Sequence, residues 1–524
     1  MRKRLLLLSG TSLLSAVLLS LPFLVEGCSP LLLVGFVPLL IADALSEKRF
    51  FLWHYLTFVL WNAFTTFWVC NATVGGGIFA ILANAFQMSL IFALFRWVKK
   101  RSHGAVAYIF LAATWTAWER FYLTSAQISW PWLVLGNGFA GTTSLVQWYE
   151  YTGTLGGSLW VWASNLAVFG LVRLIGKWKD TSVRVRSASI ASTAVLLLCP
   201  PIVSILLTPG DGGSEEKLDV TIVQPNIDPY NKFGGMSQAE QNTLLLDMAA
   251  AGIDANCPNT LVLAPETFTW DIVTNDIPSS PTFRSMKEFV DAHEGTGVLF
   301  GAATRDFFQR RTPPSMTARQ VREGVWRESH NSALIVEKDG RFDICHKSKL
   351  VPGVESTPYP RIFVPLDDLL GGVMGRDIGQ KEVSLLNFGQ IPVGCAICYE
   401  SIYGEYCAGY IRKGARLLTV ITNDAWWGDT PGYHQHLNYS RLRAIETRRW
   451  IARCANTGIS AIIDSRGKIV SSTSWWVPEV LKGSVSLCDG QTFFVRHGDI
   501  AGRISVLVFA MILLAAVAGR FRKE

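Results

Sequence analysis

Apolar positions follow two different patterns along this chain. Up to residue 207 they come in long runs, over 5–21, 31–45, 50–69, 78–98, 105–122, 158–175 and 189–207, and one more run covers 504–517. From about 218 to 483 the runs are short and β-rich, and they alternate with polar, helix-like stretches. They include Val220-Thr-Ile-Val223, Thr260-Leu-Val-Leu-Ala264, Gly297-Val-Leu-Phe300, Ser332-Ala-Leu-Ile-Val336, Ile391-Pro-Val-Gly-Cys-Ala-Ile397 and Leu417-Leu-Thr-Val-Ile421. Short, almost continuously apolar runs predict strands covered on both faces, and their alternation with helical stretches predicts an α/β layered domain.

The long runs predict membrane spans, because a bilayer core takes about 20 apolar residues per helix. The second run is interrupted by Pro38. Basic residues cluster at Arg2-Lys3-Arg4, Lys48-Arg49, Arg96 with Lys99-Lys100-Arg101, Arg173 to Arg186, and Arg520 to Lys523. If all eight runs span, every cluster falls on one side, which the positive-inside rule makes the cytoplasm. The polar insert is then external. The expected division is a membrane domain of seven spans over 1–210, an external domain over 217–490, and an eighth span with a cytoplasmic end over 500–520. The first run is read as a span rather than a cleaved signal peptide, because others follow it closely.

Composition agrees with a mixture of two kinds of domain. Hydrophobic residues make up 49% and charged residues 17%, with mean hydropathy +0.27. The net charge of +7 sits mostly in short juxtamembrane loops and calls for no nucleic-acid partner. Ten scattered cysteines do not form the dense framework of a small secreted scaffold.

Three reactive side chains follow strand-like runs or their turns: Glu266, Lys347 and Cys398. A thiol needs a base to become a nucleophile, and a carboxylate can serve. The oxyanion of an acyl-transfer intermediate needs a cation or N–H donors. Taken singly, each of the three reads first as something ordinary: a surface Glu, a surface Lys and a buried Cys. Cys395 and Cys398 make a CxxC pair, but Cys395 falls inside the expected strand and reads as a packed small residue rather than half of a redox pair. A zinc site would want four ligands, and there is no second CxxC. His434-Gln-His436 reads as a polar pair in a surface loop. The segment from Phe307 to Arg327 is basic and contains Pro, and is expected to be an exposed loop.

Ala264-Pro-Glu266-Thr, His346-Lys347-Ser-Lys-Leu-Val-Pro-Gly-Val-Glu355 and Cys398-Tyr399-Glu400 resemble the three signatures of the nitrilase superfamily, in order and rough spacing. Thr422-Asn-Asp-Ala-Trp426-Trp427-Gly and Arg443-Ala-Ile-Glu-Thr-Arg-Arg449 resemble the segments that follow there. Trp115-Thr-Ala-Trp-Glu119-Arg120, Trp130-Pro-Trp132-Leu, Gly136-Asn-Gly138 and Thr492-Phe-Phe-Val-Arg-His-Gly-Asp499 are similar to the membrane part of the apolipoprotein N-acyltransferase family. The resemblance implies a multi-span α-helical domain plus an external nitrilase-like α-β-β-α sandwich. It implies Cys398 as nucleophile, Glu266 as general base and Lys347 as oxyanion stabiliser, with Glu355, Tyr399 and Glu400 in support. Trp130, Trp132, Phe233, Trp426 and Trp427 are expected at the substrates.

The implied reaction moves an acyl chain from a membrane phospholipid, through a Cys398 thioester, to the α-amine of a diacylglyceryl apolipoprotein. It needs no metal or cofactor. The implied setting is a bacterial inner membrane, with the catalytic domain on the periplasmic side and the chain a monomer. Departures from the family pattern are Phe233 after Lys232, Lys349 where His is frequent, and Val354 before Glu355. Two rival readings remain at this point. One is a membrane-tethered amidase acting on a small amide. The other is a non-catalytic lipoprotein-binding module, against which the presence of Glu266, Lys347 and Cys398 speaks.

Overall fold

A computed structural model describes residues 2–46, 50–209, 216–229, 234–254 and 259–519. The chain divides into two compact units. The first comprises residues 1–209, 430–442 and 497–524, and the second comprises 210–429 and 443–496.

The first unit is helical: α1 (Arg2–Leu24), α2 (Val37–Leu45), α3 (Phe51–Thr66), α4 (Val69–Ala72), α5 (Val74–Lys99), α6 (Gly104–Thr124), α7 (Tyr149–Ile175) and α8 (Val183–Leu207), with a C-terminal helix, Ile500–Val517. Each apolar run predicted as a span contains a helix, but among the described residues five helices are long and apolar enough to cross a membrane: Lys3–Leu24, Val74–Lys99, Tyr149–Ile175, Val183–Leu207 and Ile500–Val517. The physical reasons for the shortfall from eight differ. Pro38 stands at the start of α2 and leaves it nine residues. The 16 residues of α3 rise only about 24 Å. The last turns of α6 carry Glu119 and Arg120.

Aromatic rings fill the middle of this unit. Trp61, Trp115 and Trp162 are fully buried, and Phe36 stacks on Trp162 at 4.4 Å. Two of its buried carboxylates are paired with cations. Asp43 takes Lys99 Nζ at 2.7 Å and Arg96 Nη1 at 3.1 Å, and Arg120 Nη1 reaches Asp499 Oδ2 at 2.8 Å. Asp499 also caps the C-terminal helix by accepting the Gly502 N–H at 2.8 Å.

Among the described residues the second unit has thirteen strands. They are β1 (Lys217–Gln224), β2 (Thr260–Leu263), β3 (Thr296–Gln309), β4 (Arg319–Arg322), β5 (Val325–Val336), β6 (Phe342–His346), β7 (Leu386–Phe388), β8 (Ile391–Ile397), β9 (Leu417–Thr422), β10 (Ile451–Ala455), β11 (Ala461–Ile463), β12 (Ile469–Ser472) and β13 (Glu479–Ser486). One sheet has the order β13-β1-β2-β3-β5-β4 with β6 also on β5, and the other runs β12-β11-β10-β9-β8-β7.

Side chains alternate across each strand. Leu218, Val220 and Ile222 of β1 and Leu261 and Leu263 of β2 meet Val393, Cys395 and Ile397 of β8 and Leu417 and Ile421 of β9 in one buried layer between the sheets. Val223 and Val262, of opposite phase, face the helices α9 (Gln238–Gly252) and α10 (Pro281–Ala292), packing with Leu245, Ala249, Phe283 and Met286. On the other sheet α12 (Gly404–Arg412) lies close: a Cβ added at Gly394 of β8 would stand 2.7 Å from Tyr410 Cβ. The layers are therefore α-β-β-α, as the resemblance implied. The helix α11 (Pro360–Leu369) belongs to the loops beyond the sheets.

Two sequence expectations change. The stretch 307–327 is not simply a loop. It contains the end of β3, all of β4 and the start of β5, turned at Gly324 with φ +69°. His434 and His436 lie on the helix α13 (Pro431–Thr447), and His436 is fully buried. The first part of that helix belongs to the helical unit and its last turn to the other.

Candidate active site

Three turns, each leaving the end of a strand, carry the three reactive groups. After β2 the chain turns at Ala264-Pro265-Glu266. The turn is held by Ala264 N–H to Leu299 O at 2.8 Å and by Gly301 N–H to Pro265 O at 3.1 Å. Gly301 has to be glycine, because a Cβ there would lie 2.6 Å from Glu266 Cα. Lys347 is the first residue past β6, and its N–H donates to Asn331 O at 2.7 Å. Cys398 is the first residue past β8 and has φ +52°. A non-glycine residue with positive φ is strained, and such strain concentrates at functional sites.

The side chains converge inside the second unit. Lys347 Nζ lies 3.0 Å from Glu266 Oε1 and 2.7 Å from Glu355 Oε1. Asn331 Nδ2 donates to the same two oxygens at 2.8 and 2.9 Å. Glu266 Oε2 accepts the Asn423 N–H at 3.1 Å, and Glu355 Oε2 accepts the Val351 N–H at 2.7 Å. Lys347 is only 1% exposed and Glu266 6%. A cation buried so deeply would ordinarily lose its proton. Burial does pull the Lys347 pKa down, but the charges of Glu266 and Glu355 outweigh it and hold the ammonium well above its usual range.

Burial pushes the Cys398 thiol well above its ordinary pKa, and the Glu266 charge pushes it further. Lys347 and a hydrogen bond with Thr422 oppose both without reversing them. The thiol therefore rests protonated. A nearby carboxylate can take its proton in the step that uses the sulfur, and the Lys347 ammonium, which cannot act as a base, is a fixed positive charge for a developing oxyanion.

Glu400 ties two of the turns together. Its Oε1 accepts the N–H groups of Ser348 and Lys349 at 2.6 and 3.1 Å, and its Oε2 accepts that of Ile397 at 2.9 Å. One carboxylate thus fixes the backbone beside Lys347 and the backbone beside Cys398. Burial raises its pKa while the three N–H donors pull it back.

Comparison with known proteins bears on what this arrangement is. Residues 219–493, over half the chain, match the carbon-nitrogen hydrolase family. The chain belongs to the carbon-nitrogen hydrolase family. Residues 15–167 match the apolipoprotein N-acyltransferase N-terminal domain. The apolipoprotein N-acyltransferase of Chlorobaculum tepidum is 29% identical, over 96% of this chain and 95% of that protein. That of Geobacter metallireducens is 28% identical, over 97% and 95%. Among solved structures, Saccharomyces cerevisiae Nit3, of the nitrilase superfamily, has 15% identity and a TM-score of 0.37, covering 52% of this chain and 93% of its own.

In this family member Glu266, Lys347, Glu355 and Glu400 make the hydrogen-bonded frame around Cys398. Tyr399 is buried beside it, with its ring 5.2 Å from that of Tyr403. Trp426 and Trp427 form a short turn directly after Asn423 and Asp424, and Trp426 is 39% exposed. Trp130 and Trp132 belong to the helical unit. There the Trp132 ring is buried, its Nε1–H donating to Gln435 Oε1 at 2.6 Å and its face stacked on Trp130 at 5.4 Å. Phe233 lies outside the described residues. Cys395 sits in the inter-sheet core, where burial pushes its thiol up to about 12.

Three participants were not singled out from sequence: Asn331, the Asn423 backbone, and the buried pair of Asp424 with Arg453 at 2.6 Å. Asn331 left a signal. It has the same strand phase as Ala333 and Ile335, which face the inter-sheet core, so it is a polar residue on an apolar face.

Proposed function

We propose that the chain transfers a fatty acyl group from a membrane phospholipid to the α-amine of an apolipoprotein's N-terminal diacylglyceryl-cysteine, through a thioester on Cys398. The observation that carries this reading is the buried Lys347–Glu266 ion pair set beside a protonated thiol on a strained turn. Glu266 takes the Cys398 proton as the sulfur attacks the ester carbonyl. The oxyanion forms beside Lys347 Nζ. Collapse breaks the ester bond, and the leaving glycerol oxygen takes the proton back from Glu266, giving a lysophospholipid and the thioester. The α-amine then attacks the thioester and passes a proton to Glu266. The C–S bond breaks, the amide forms, and the thiolate recovers its proton. A single nucleophile used in turn by two substrates implies ping-pong kinetics.

Glu355 serves as second counter-ion to Lys347, and Glu400 holds the lysine turn to the cysteine turn. Trp426 and Trp427 are candidates for contact with the lipid chains. The five helices long and apolar enough to cross a membrane support a multi-pass protein. Where the shorter helices α2, α3 and α6 complete eight crossings, the basic clusters all fall on the cytoplasmic side of a bacterial inner membrane and the catalytic unit on the periplasmic side.

The test is the intact mass of the purified protein after incubation with phospholipid alone. A fatty-acyl increment is expected. It should be absent in Cys398→Ala and should be removed by a diacylglyceryl peptide with a free amine. An active, reduced preparation that never gains the increment overturns the reading.

A further inference from the structure

The turn after β9 meets both reacting groups. Asn423 N–H reaches Glu266 Oε2 at 3.1 Å, and the Thr422 hydroxyl is hydrogen-bonded with Cys398. The register explains the second contact. β8 and β9 are parallel and pair up to Ile397↔Ile421, so Thr422 comes beside Cys398 where β8 ends. β10 lies parallel on the other side of β9, with Arg453 opposite Val420 and Ala455 opposite Thr422. Ile421, Ala452 and Cys454 face the inter-sheet core, so Thr422 and Arg453 share the opposite phase.

Asp424 joins the two. Its Oδ1 accepts the Thr422 hydroxyl at 2.7 Å, and its Oδ2 takes Arg453 Nη2 at 2.6 Å. All three side chains are fully buried. Gly458 leaves room for the pair, since a Cβ there would stand 2.8 Å from Asp424 Oδ2. Stability alone is a weak reason for such a pair, because a buried ion pair seldom offsets its desolvation. Its place beside the thiol gives a better one. The Asp424 charge raises the Cys398 pKa, whereas the Thr422 hydrogen bond lowers it. A threonine hydroxyl has one hydrogen. In the resting site that hydrogen lies on Asp424, so Oγ1 is left to accept from the Cys398 S–H. Once Glu266 has taken the thiol proton, the sulfur becomes an acceptor, while Asp424 keeps Arg453. The hydroxyl hydrogen then turns to the sulfur.

We propose that Thr422 is a further catalytic residue, whose hydroxyl stabilises the Cys398 thiolate, and that Asp424 and Arg453 are positioning residues that hold this hydroxyl ready. The proposal rests on the reading of Cys398 as the nucleophile. No proton is transferred in the turn: the threonine O–H bond stays intact, and Glu266 remains the base.

The test is the pH dependence of Cys398 alkylation by iodoacetamide, read by mass on the Cys398 peptide after treatment of the full chain. Cys398 is half-buried rather than sealed. Thr422→Val removes the hydroxyl at nearly constant volume, and the alkylation midpoint should rise by about one pH unit or more. Thr422→Ser keeps the hydroxyl and should return the midpoint to that of the unaltered chain. Asp424→Asn frees the hydroxyl and removes a repelling charge, so its midpoint should fall. Glu266 and Lys347, which also bear on Cys398, stay in every variant. Thioester formation on phospholipid should slow by roughly tenfold or more in Thr422→Val and recover in Thr422→Ser.

A pair that merely braced the turn would move the midpoints of Thr422→Val and Asp424→Asn in the same direction, and that result overturns the proposal. So does an unmoved midpoint in folded Thr422→Val, or a Thr422→Ser chain that behaves like it. If Thr422→Val does not fold, Asp424→Asn decides alone, and a midpoint that stays or rises overturns the proposal. A missing thioester in the unaltered chain would count against acyl transfer alone, since the alkylation midpoints are read without it.

Discussion

Both units bury charge, but to different ends. In the helical unit Asp43 meets Arg96 and Lys99, and Asp499 meets Arg120, so the groups pair across helices and lock them. In the second unit the cation is enclosed more deeply, Lys347 at 1% exposure against 21%, 30% and 20% for Arg96, Lys99 and Arg120, and Glu266, Glu355 and Lys347 surround a thiol that sits on a strained turn. Residue types are similar. What separates a lock from a reaction centre is a nucleophile among the charges, and a backbone that aims it.

The sharpest break of that comparison is inside one stretch, since Cys395 and Cys398 are three residues apart. Cys398→Ala should abolish thioester formation, a loss of at least about a thousandfold in acyl transfer, and should leave the fold intact. Cys395→Ala should do the reverse. It removes a buried sulfur from the inter-sheet core, costing about 1 kcal/mol or more in unfolding experiments, while the acyl-enzyme mass still appears.

The next largest effect concerns the charges. Glu266→Gln should lower transfer by about a hundredfold or more by removing the base. The Glu266 charge is one of the causes that raise the Cys398 pKa. Alkylation of Cys398 by iodoacetamide should therefore begin at lower pH in Glu266→Gln than in the unaltered chain, although acyl transfer is slower. A charge that served only to lock the fold would not separate the two readouts. Lys347→Met leaves Glu266 and Glu355 facing each other, and is expected to lose both activity and stability.

Much of this was legible because strand ends announce themselves. Glu266 and Cys398 each follow an apolar run, and those runs became β2 and β8; the run before Lys347, Ser332–Val336, became the end of β5, with the short β6 between them unread. The layers followed from apolar continuity. What stayed hidden depends on groups brought together from distant parts of the chain. Asn331 looks like any polar residue until β5 sets it opposite two carboxylates, and the Asn423 N–H has no side-chain identity to read. The helix at His434 and His436 was hidden because α13 serves two units, so its apolar positions follow no single stripe. The strands over 307–327 were hidden because arginines in a ribbon resemble arginines in a loop.

On the locking side, Arg120→Ala removes the Arg120–Asp499 ion pair. Asp499 keeps its cap on the C-terminal helix through Gly502. The expected cost is about 1–2 kcal/mol of stability, read as a lower melting temperature in detergent, with the thioester still formed on incubation with phospholipid. Loss of the thioester in a folded Arg120→Ala protein would place this pair with the reaction centre instead.

The smallest expected effect tests whether a neighbour of the reaction centre can behave purely as structure. His346 precedes Lys347, accepts or donates through Nδ1 to Ser332 Oγ at 2.7 Å, and stacks on His330 at 4.4 Å. Burial, and then the charge of His330, lower its pKa to about 4. The unfolded chain binds a proton near the ordinary value of 6.5. Between the two the unfolded state holds more protons, so stability from this group is fully present above about pH 6.5 and drains away as pH falls towards 4. The loss should reach about 2 kcal/mol. His346→Gln keeps a hydrogen-bonding group for Ser332 but cannot titrate, so its melting temperature should fall less over that window than that of the unaltered chain. Equal slopes would mean that other groups carry the acid sensitivity. A change in transfer rate at pH 7.5, where His346 is neutral, would mean that it positions Lys347 as well as packing behind it.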